Sequence, residues 1–312
     1  MLVRRLWRRW LEWCTQGVMG GRRRAGRRRP SATRRRNLWL AAELLEAREM
    51  LSSVTISTQD AVLPDNVSVG TNPFDLVTAD FNGDLAGDLA VANFTSGDIS
   101  ILTGLGDGTF DTVMAISVGP GLIALAEADF NQDGYTDLTV TNQGPLGIGV
   151  LLGNGDGTFQ PPAYYAVGPD PSSLAVSDFN EDGNPDVAVA NYSASNVGLL
   201  LGSGDGSLTA GGLFGVGEIA RAVAVADFNH DGHDDLAVAN RNSNDVSMLL
   251  GIGDGTFQGA VNYGAGTNPS AIRVDDFNAD GNPDLAVSNE NSNDVSILLG
   301  NADGTFQAQH SY

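Results

Sequence analysis

Five nine-residue stretches carry oxygen donors at a spacing that suits a hard cation. They are DFNGDLAGD (Asp80, Asn82, Asp84, Asp88), DFNQDGYTD (Asp129, Asn131, Asp133, Asp137), DFNEDGNPD (Asp178, Asn180, Asp182, Asp186), DFNHDGHDD (Asp227, Asn229, Asp231, Asp235) and DFNADGNPD (Asp276, Asn278, Asp280, Asp284). Calcium takes six to eight oxygens in flexible geometry, and side chains at positions 1, 3 and 5 of a curling loop can be aimed at one point. Position 7 would add a carbonyl and the Asp at position 9 would close the shell. Gly at position 6 permits the left-handed backbone of a sharp turn. No His or Cys recurs at these positions, so zinc does not fit. The expected cofactor is calcium, up to five ions. The first site should be weakest, because Leu85 stands where the others have Gly134, Gly183, Gly232 and Gly281.

A single Asp/Asn/Gly loop of this kind is usually only a solvated turn. Five copies in register argue against that, since successive copies start 49 residues apart without insertion or deletion. A fixed period of this length means that the repeat is itself the fold. Five units span 68–116, 117–165, 166–214, 215–263 and 264–312, after a segment at 1–51 and a linker at 52–67.

Within the unit 166–214, Ser173–Ser177 is a short apolar run that reads as a strand buried on both faces. The acidic loop follows, then strands at Val187–Asn191 and Asn196–Gly202. A Gly-Asp tight turn leads to a fourth strand at Ser207–Phe214. Four short antiparallel strands per unit predict an all-β propeller, as a closed five-bladed ring or as part of a larger one. A stacked solenoid would need parallel strands and longer crossovers than these turns supply. The Asp of each Gly-Asp turn reads as a turn residue. The Phe of each DFN and GTF reads as core between blades.

Charge divides the 312-residue chain. Residues 1–50 hold 14 of the 17 basic residues, all Arg, against four acids, whereas 51–312 hold three Arg against 34 acids. That body lacks the clustered cations that neutralise phosphates, which argues against nucleic acid as a partner. Cys14 is the single cysteine and lies outside the repeats, so no intrachain disulfide forms. The start of the chain has no apolar run long enough for a membrane span, and Asn37–Leu51 has the composition of a short amphipathic helix. The expected state is a monomer.

The pattern LAVxDFNxDGxxDLAVxN followed by VSILLGxGDGTF resembles the FG-GAP or VCBS repeats of integrin-α-like propellers. That resemblance implies calcium in the loop between the first and second strands of each blade, and a place among extracellular adhesion or carbohydrate-recognition proteins. Leu45–Leu51 resembles the LEPR-XLL motif of exported bacterial repeat proteins, with Ala47 in place of its Pro and Met50 in place of one Leu.

In a four-stranded meander the acidic loops and Gly-Asp turns share one end of the blades. The opposite end carries the variable loops, whose distinctive side chains are Phe94, Tyr192, Arg221, Arg241 and Glu290, the candidates for contact with a surface glycan or protein. Enzymes break repeat symmetry with acids, bases or nucleophiles that the copies do not share. Here nearly all carboxylates follow the repeat, so the expectation is a non-enzymatic extracellular or cell-surface recognition module. A polysaccharide-acting enzyme and a purely structural spacer are the alternatives.

Overall fold

The computed structural model describes residues 67–144 and 147–312. The expected helix, the LEPR-XLL-like stretch, Cys14 and nearly all of the linker lie outside those residues. The described part consists of five four-stranded antiparallel sheets, and in each the strands are hydrogen-bonded in chain order.

Blade 3 shows why the sequence folds this way. Its strands run Pro171–Ser177, Asp186–Asn191, Asn196–Gly202 and Leu208–Gly215, within two residues of the boundaries that apolar patterning predicts. Every residue of the second strand is buried, as expected for a central strand between two neighbours and two flanking blades. Val187 pairs with Val176 on one side and Leu200 on the other. The fourth strand varies most, shrinking to Ala163–Tyr165 in blade 2 and His310–Ser311 in blade 5.

Side chains of the second and third strands alternate between the two faces of each sheet, so blades 2, 3 and 4 each pack against both neighbours. Four cores result, one between each consecutive pair of blades. The DFN Phe of one blade meets the GTF Phe of the next in edge-to-face pairs, Phe81 with Phe159, Phe179 with Phe257 and Phe228 with Phe306, each at 5.6 Å between ring centres. At the remaining junction Phe130 shares its core with Leu208, because blade 3 has Ser207-Leu208 in place of Thr-Phe. Backbone bonds repeat with the packing: Gly157 N–H donates to the Phe81 carbonyl (2.9 Å), Gly206 to Phe130 (3.0 Å) and Gly255 to Phe179 (3.0 Å).

Of the two architectures that five units allow, a closed ring would bury the outer faces of blades 1 and 5 against each other, and these faces are partly exposed. Leu76, which faces away from blade 2, is 38% exposed, whereas its equivalents Leu125, Leu174, Val223 and Ile272 are at most 9% exposed. At the other end Phe277 is 37% exposed, against 1–3% for Phe81, Phe130, Phe179 and Phe228.

Candidate functional site: acidic loops and the opposite loop face

Each acidic loop is wound around its own carboxylates. In blade 3, Asp178 accepts backbone N–H groups from Asp182 (3.1 Å) and Gly183 (2.8 Å), while Asn180 Oδ1 accepts from Asp182 (3.1 Å). Asn180 Nδ2 donates to Asp182 Oδ2 at 2.9 Å, and Asp182 Oδ1 accepts the Asn184 N–H at 2.9 Å. Position 6 is left-handed, with φ of 86–91° at the four glycines and 68° at Leu85. Position 4 is left-handed too, at Gly83, Gln132, Glu181, His230 and Ala279, a second bend that the Asp/Asn/Gly pattern did not announce.

The Asp at position 9 is set apart from the others. Asp88, Asp137, Asp186, Asp235 and Asp284 are at most 1% exposed. Each divides its carboxylate between two backbone donors. Asp186 Oδ2 takes the Phe179 N–H (3.0 Å) and Oδ1 takes the Gly202 N–H (2.8 Å), so one side chain ties the loop to the Gly-Asp turn 16 residues on. Burial pushes Asp137, Asp186 and Asp235 up to about 6; the two N–H donors act against this and the nearby position-1 and position-5 carboxylates reinforce it.

The donor chemistry fits a hard divalent cation. Apart from the Phe at position 2, every recurring side chain in the loop offers oxygen, each carboxylate oxygen that accepts one N–H keeps a second lone pair, and no Lys or Arg stands in the loops to balance the charge. As arranged in this structure, no three His, Cys, Asp or Glu side chains gather to hold a metal ion among the described residues.

Neighbouring loops are laced together at positions 4 and 7. Gln132 Nε2 donates to Asn184 Oδ1 (2.7 Å) and His230 Nε2 meets Asn282 Oδ1 (3.2 Å), while Glu181 pairs with His233, whose pKa that hydrogen bond raises. Both histidines are thus bonded between blades. The Gly-Asp turns behave as expected. Asp107, Asp156, Asp205, Asp254 and Asp303 each accept from the N–H and hydroxyl of the Thr or Ser two residues on, which lowers the pKa of Asp107, Asp156, Asp205 and Asp303.

At the other end of the blades, three of the five candidate recognition residues come together. Arg241 Nη2 is 2.6 Å from Glu290 Oε2, and Arg241 Nη1 donates to the Tyr192 hydroxyl at 3.4 Å. These residues occupy one repeat position in blades 3, 4 and 5, so side chains 49 residues apart in sequence become neighbours in space. Phe94 holds the same position in blade 1 and packs on Phe74 instead, with ring centres 6.0 Å apart. Arg221 lies on the first strand of blade 4, half-buried, and its carbonyl accepts from the Ser172 hydroxyl (3.1 Å).

Sequence reasoning passed over the Asn that ends each second strand: Asn93, Asn142, Asn191, Asn240 and Asn289, all at most 3% exposed. Asn240 Nδ2 donates to Asp245 Oδ1 and Ser247 Oγ, both at 2.8 Å, and so fixes the turn beneath Arg241. Its recurrence every 49 residues was the available signal.

Radial four-stranded blades joined through a Phe-lined core, each with an acidic loop after its first strand, define a β-propeller of the acidic-loop class. Residues 80–140, 129–189, 178–238 and 227–287 match the FG-GAP-like repeat, and the chain belongs to that family. A functionally unknown protein from Desulfotomaculum acetoxidans is similar in structure, with a TM-score of 0.60 at 16% identity over 78% of this chain and 71% of that one. A protein from Lactobacillus plantarum aligns with a TM-score of 0.58 at 18% identity, over 79% and 72% of the two chains. A chain of the complex of BBS1N with ARL6DN aligns with a TM-score of 0.55 at 14% identity, over 79% and 70% of the two chains. At these identities the likeness is one of fold. No curated protein is significantly similar in sequence.

Proposed function

We propose that this protein is a non-enzymatic recognition module, working at the cell surface or outside the cell, in which calcium stiffens the acidic loops and the opposite loop face binds a surface glycan or protein. The observation that carries the reading is the Tyr192–Arg241–Glu290 ladder: an aromatic ring, a guanidinium and a carboxylate from three blades, on loops held by a repeated scaffold. An aromatic face beside a paired cation and anion suits hydroxyl-rich or mixed-charge surfaces. Calcium is supported by the oxygen-only donor set and by acidic loops that hold no cation of their own. In this reading the ions are structural and lie at the end of the blades away from the ligand.

The test is a glycan and protein binding screen of the full chain with calcium present. Binding of one ligand class, weakened at least tenfold by Arg241→Ala and by Tyr192→Ala while the melting temperature holds, is the expected result. No saturable ligand would support the spacer alternative, and turnover of a polysaccharide would overturn the non-enzymatic reading.

A further inference from the structure

The chain holds two Asn-Gly-Asp stretches, Asn82-Gly83-Asp84 in the first acidic loop and Asn154-Gly155-Asp156 in the Gly-Asp turn of blade 2, and the fold treats them differently. In such a stretch the side-chain amide of Asn lies open to attack by the next main-chain nitrogen, because glycine has no Cβ to shield it. In the first loop the reacting groups are already gathered. Asn82 Oδ1 accepts the Asp84 N–H at 2.9 Å, and the ring that this bond closes runs through Gly83 N, so Asn82 Cγ is folded toward that nitrogen. The Gly83 N–H donates to Asp80 Oδ1 at 2.8 Å, which places a carboxylate on the proton that must leave. The Asp84 N–H polarises the carbonyl under attack, and Asp84 Oδ2 accepts from the Asn82 amide at 3.0 Å. Gly83 is exposed, and a Cβ built there would meet only the Gly155 carbonyl, at 3.6 Å, so water has access.

The other four loops close the same ring, with the N–H of Asp133, Asp182, Asp231 and Asp280 on Asn131, Asn180, Asn229 and Asn278. They place Gln132, Glu181, His230 and Ala279 at the attacking position, and their position-1 carboxylates accept from positions 5 and 6. Asn154 differs in another way. Its amide donates to Thr158 Oγ1 at 2.8 Å, and the Tyr135 ring packs directly over Gly155.

We propose that Asn82 is a site of self-modification, at which the folded loop drives cyclisation and deamidation. Gly83 N attacks Asn82 Cγ as Asp80 takes its proton; the Cγ–Nδ2 bond then breaks, and the amide group, with that proton delivered to it, leaves as ammonia. Water opens the five-membered imide at either carbonyl, giving aspartyl or isoaspartyl at position 82. The isoaspartyl form runs the main chain through the side chain, one methylene longer, and withdraws the Asp84 and Leu85 N–H groups from Asp80. The first acidic loop is thereby undone with age while the other four stay intact.

The test follows the full chain at neutral pH, folded and in denaturant, by mass spectrometry of peptides covering residues 82 and 154, with isoaspartyl measured separately. In the folded chain Asn82 should convert roughly fivefold or more faster than Asn154, and in denaturant, where only the shared Asn-Gly-Asp stretch acts, the two rates should agree. Gly83→Gln, which installs the residue of the second loop, should stop conversion at position 82 and leave that at 154 unchanged. Equal rates in the folded chain, an Asn82 that reacts more slowly folded than denatured, or conversion that persists in Gly83→Gln overturns the assignment. Should that variant fail to fold, the comparison of folded with denatured unaltered chain decides alone.

Discussion

Leu85 is the residue where the repeat pays most openly for a departure. It sits at φ 68° with its side chain 94% exposed, so it carries left-handed strain and gains no burial in return. The strain amounts to ~1 kcal/mol for a non-glycine residue. Leu85→Gly should therefore raise stability by about that amount, read from denaturant midpoints, and should tighten the first calcium site in calorimetry. Asp186 is the opposite case, with both oxygens committed to N–H donors at full burial. Asp186→Asn puts an amide N–H against one of those donors and should cost about 1–3 kcal/mol. An unchanged midpoint would show that the loop does not depend on this tie.

The same buried carboxylates set a pH dependence whose sign is unusual for acids. Their folded pKa of about 6 lies above the ordinary 3.8, so folding favours the protonated form. The contribution is complete below the ordinary value and is lost as pH rises through about 6. In chelator the melting temperature should fall between pH 4 and pH 7, whereas calcium, which holds the carboxylates ionised, should reverse the trend. The turn carboxylates Asp107, Asp156, Asp205 and Asp303 have lowered values, so their protonation falls below this window.

Among the elements, the loop between first and second strands and the Gly-Asp turn act as one unit joined through the position-9 Asp. That coupling explains why a disordered loop would loosen the third strand as well. Chelation should lower the melting temperature by roughly 5 °C or more, a size set by several sites each bound well above its dissociation constant. An unchanged melt in chelator would remove the structural role of calcium. At the other end of the blades, the Arg241–Glu290 pair is partly exposed and should contribute only about 0.2–1 kcal/mol to stability. Loss of ligand binding in Arg241→Ala would then report recognition rather than unfolding.

For the whole molecule, the repeat period, the strand order and the inter-blade role of the DFN and GTF aromatics were all legible in the chain, because each depends on local alternation and on a motif copied at constant spacing. The blade 3 strands fall almost where apolar patterning places them. Less legible was anything that joins one blade to the next through nonrepeated side chains. Nothing local marks Glu181 and His233 as partners, or Tyr192, Arg241 and Glu290 as one surface, because each lies a full repeat from its neighbour. The left-handed bend at position 4 was equally hidden, since Gln132, Glu181, His230 and Ala279 share no side-chain signal for it.

By itself the sequence determined the blade: its four strands, the acidic loop that closes it and the core positions, all fixed by periodicity in residues near one another along the chain. Only the tertiary structure decided how blades sit side by side. Their arrangement comes from side-chain packing at four junctions, and it leaves Leu76 and Phe277 partly exposed on the outer faces of blades 1 and 5. It also turns three unrelated loop residues into one surface. A repeat specifies each contact between neighbours but not the sum of the rotations, and closure depends on that sum.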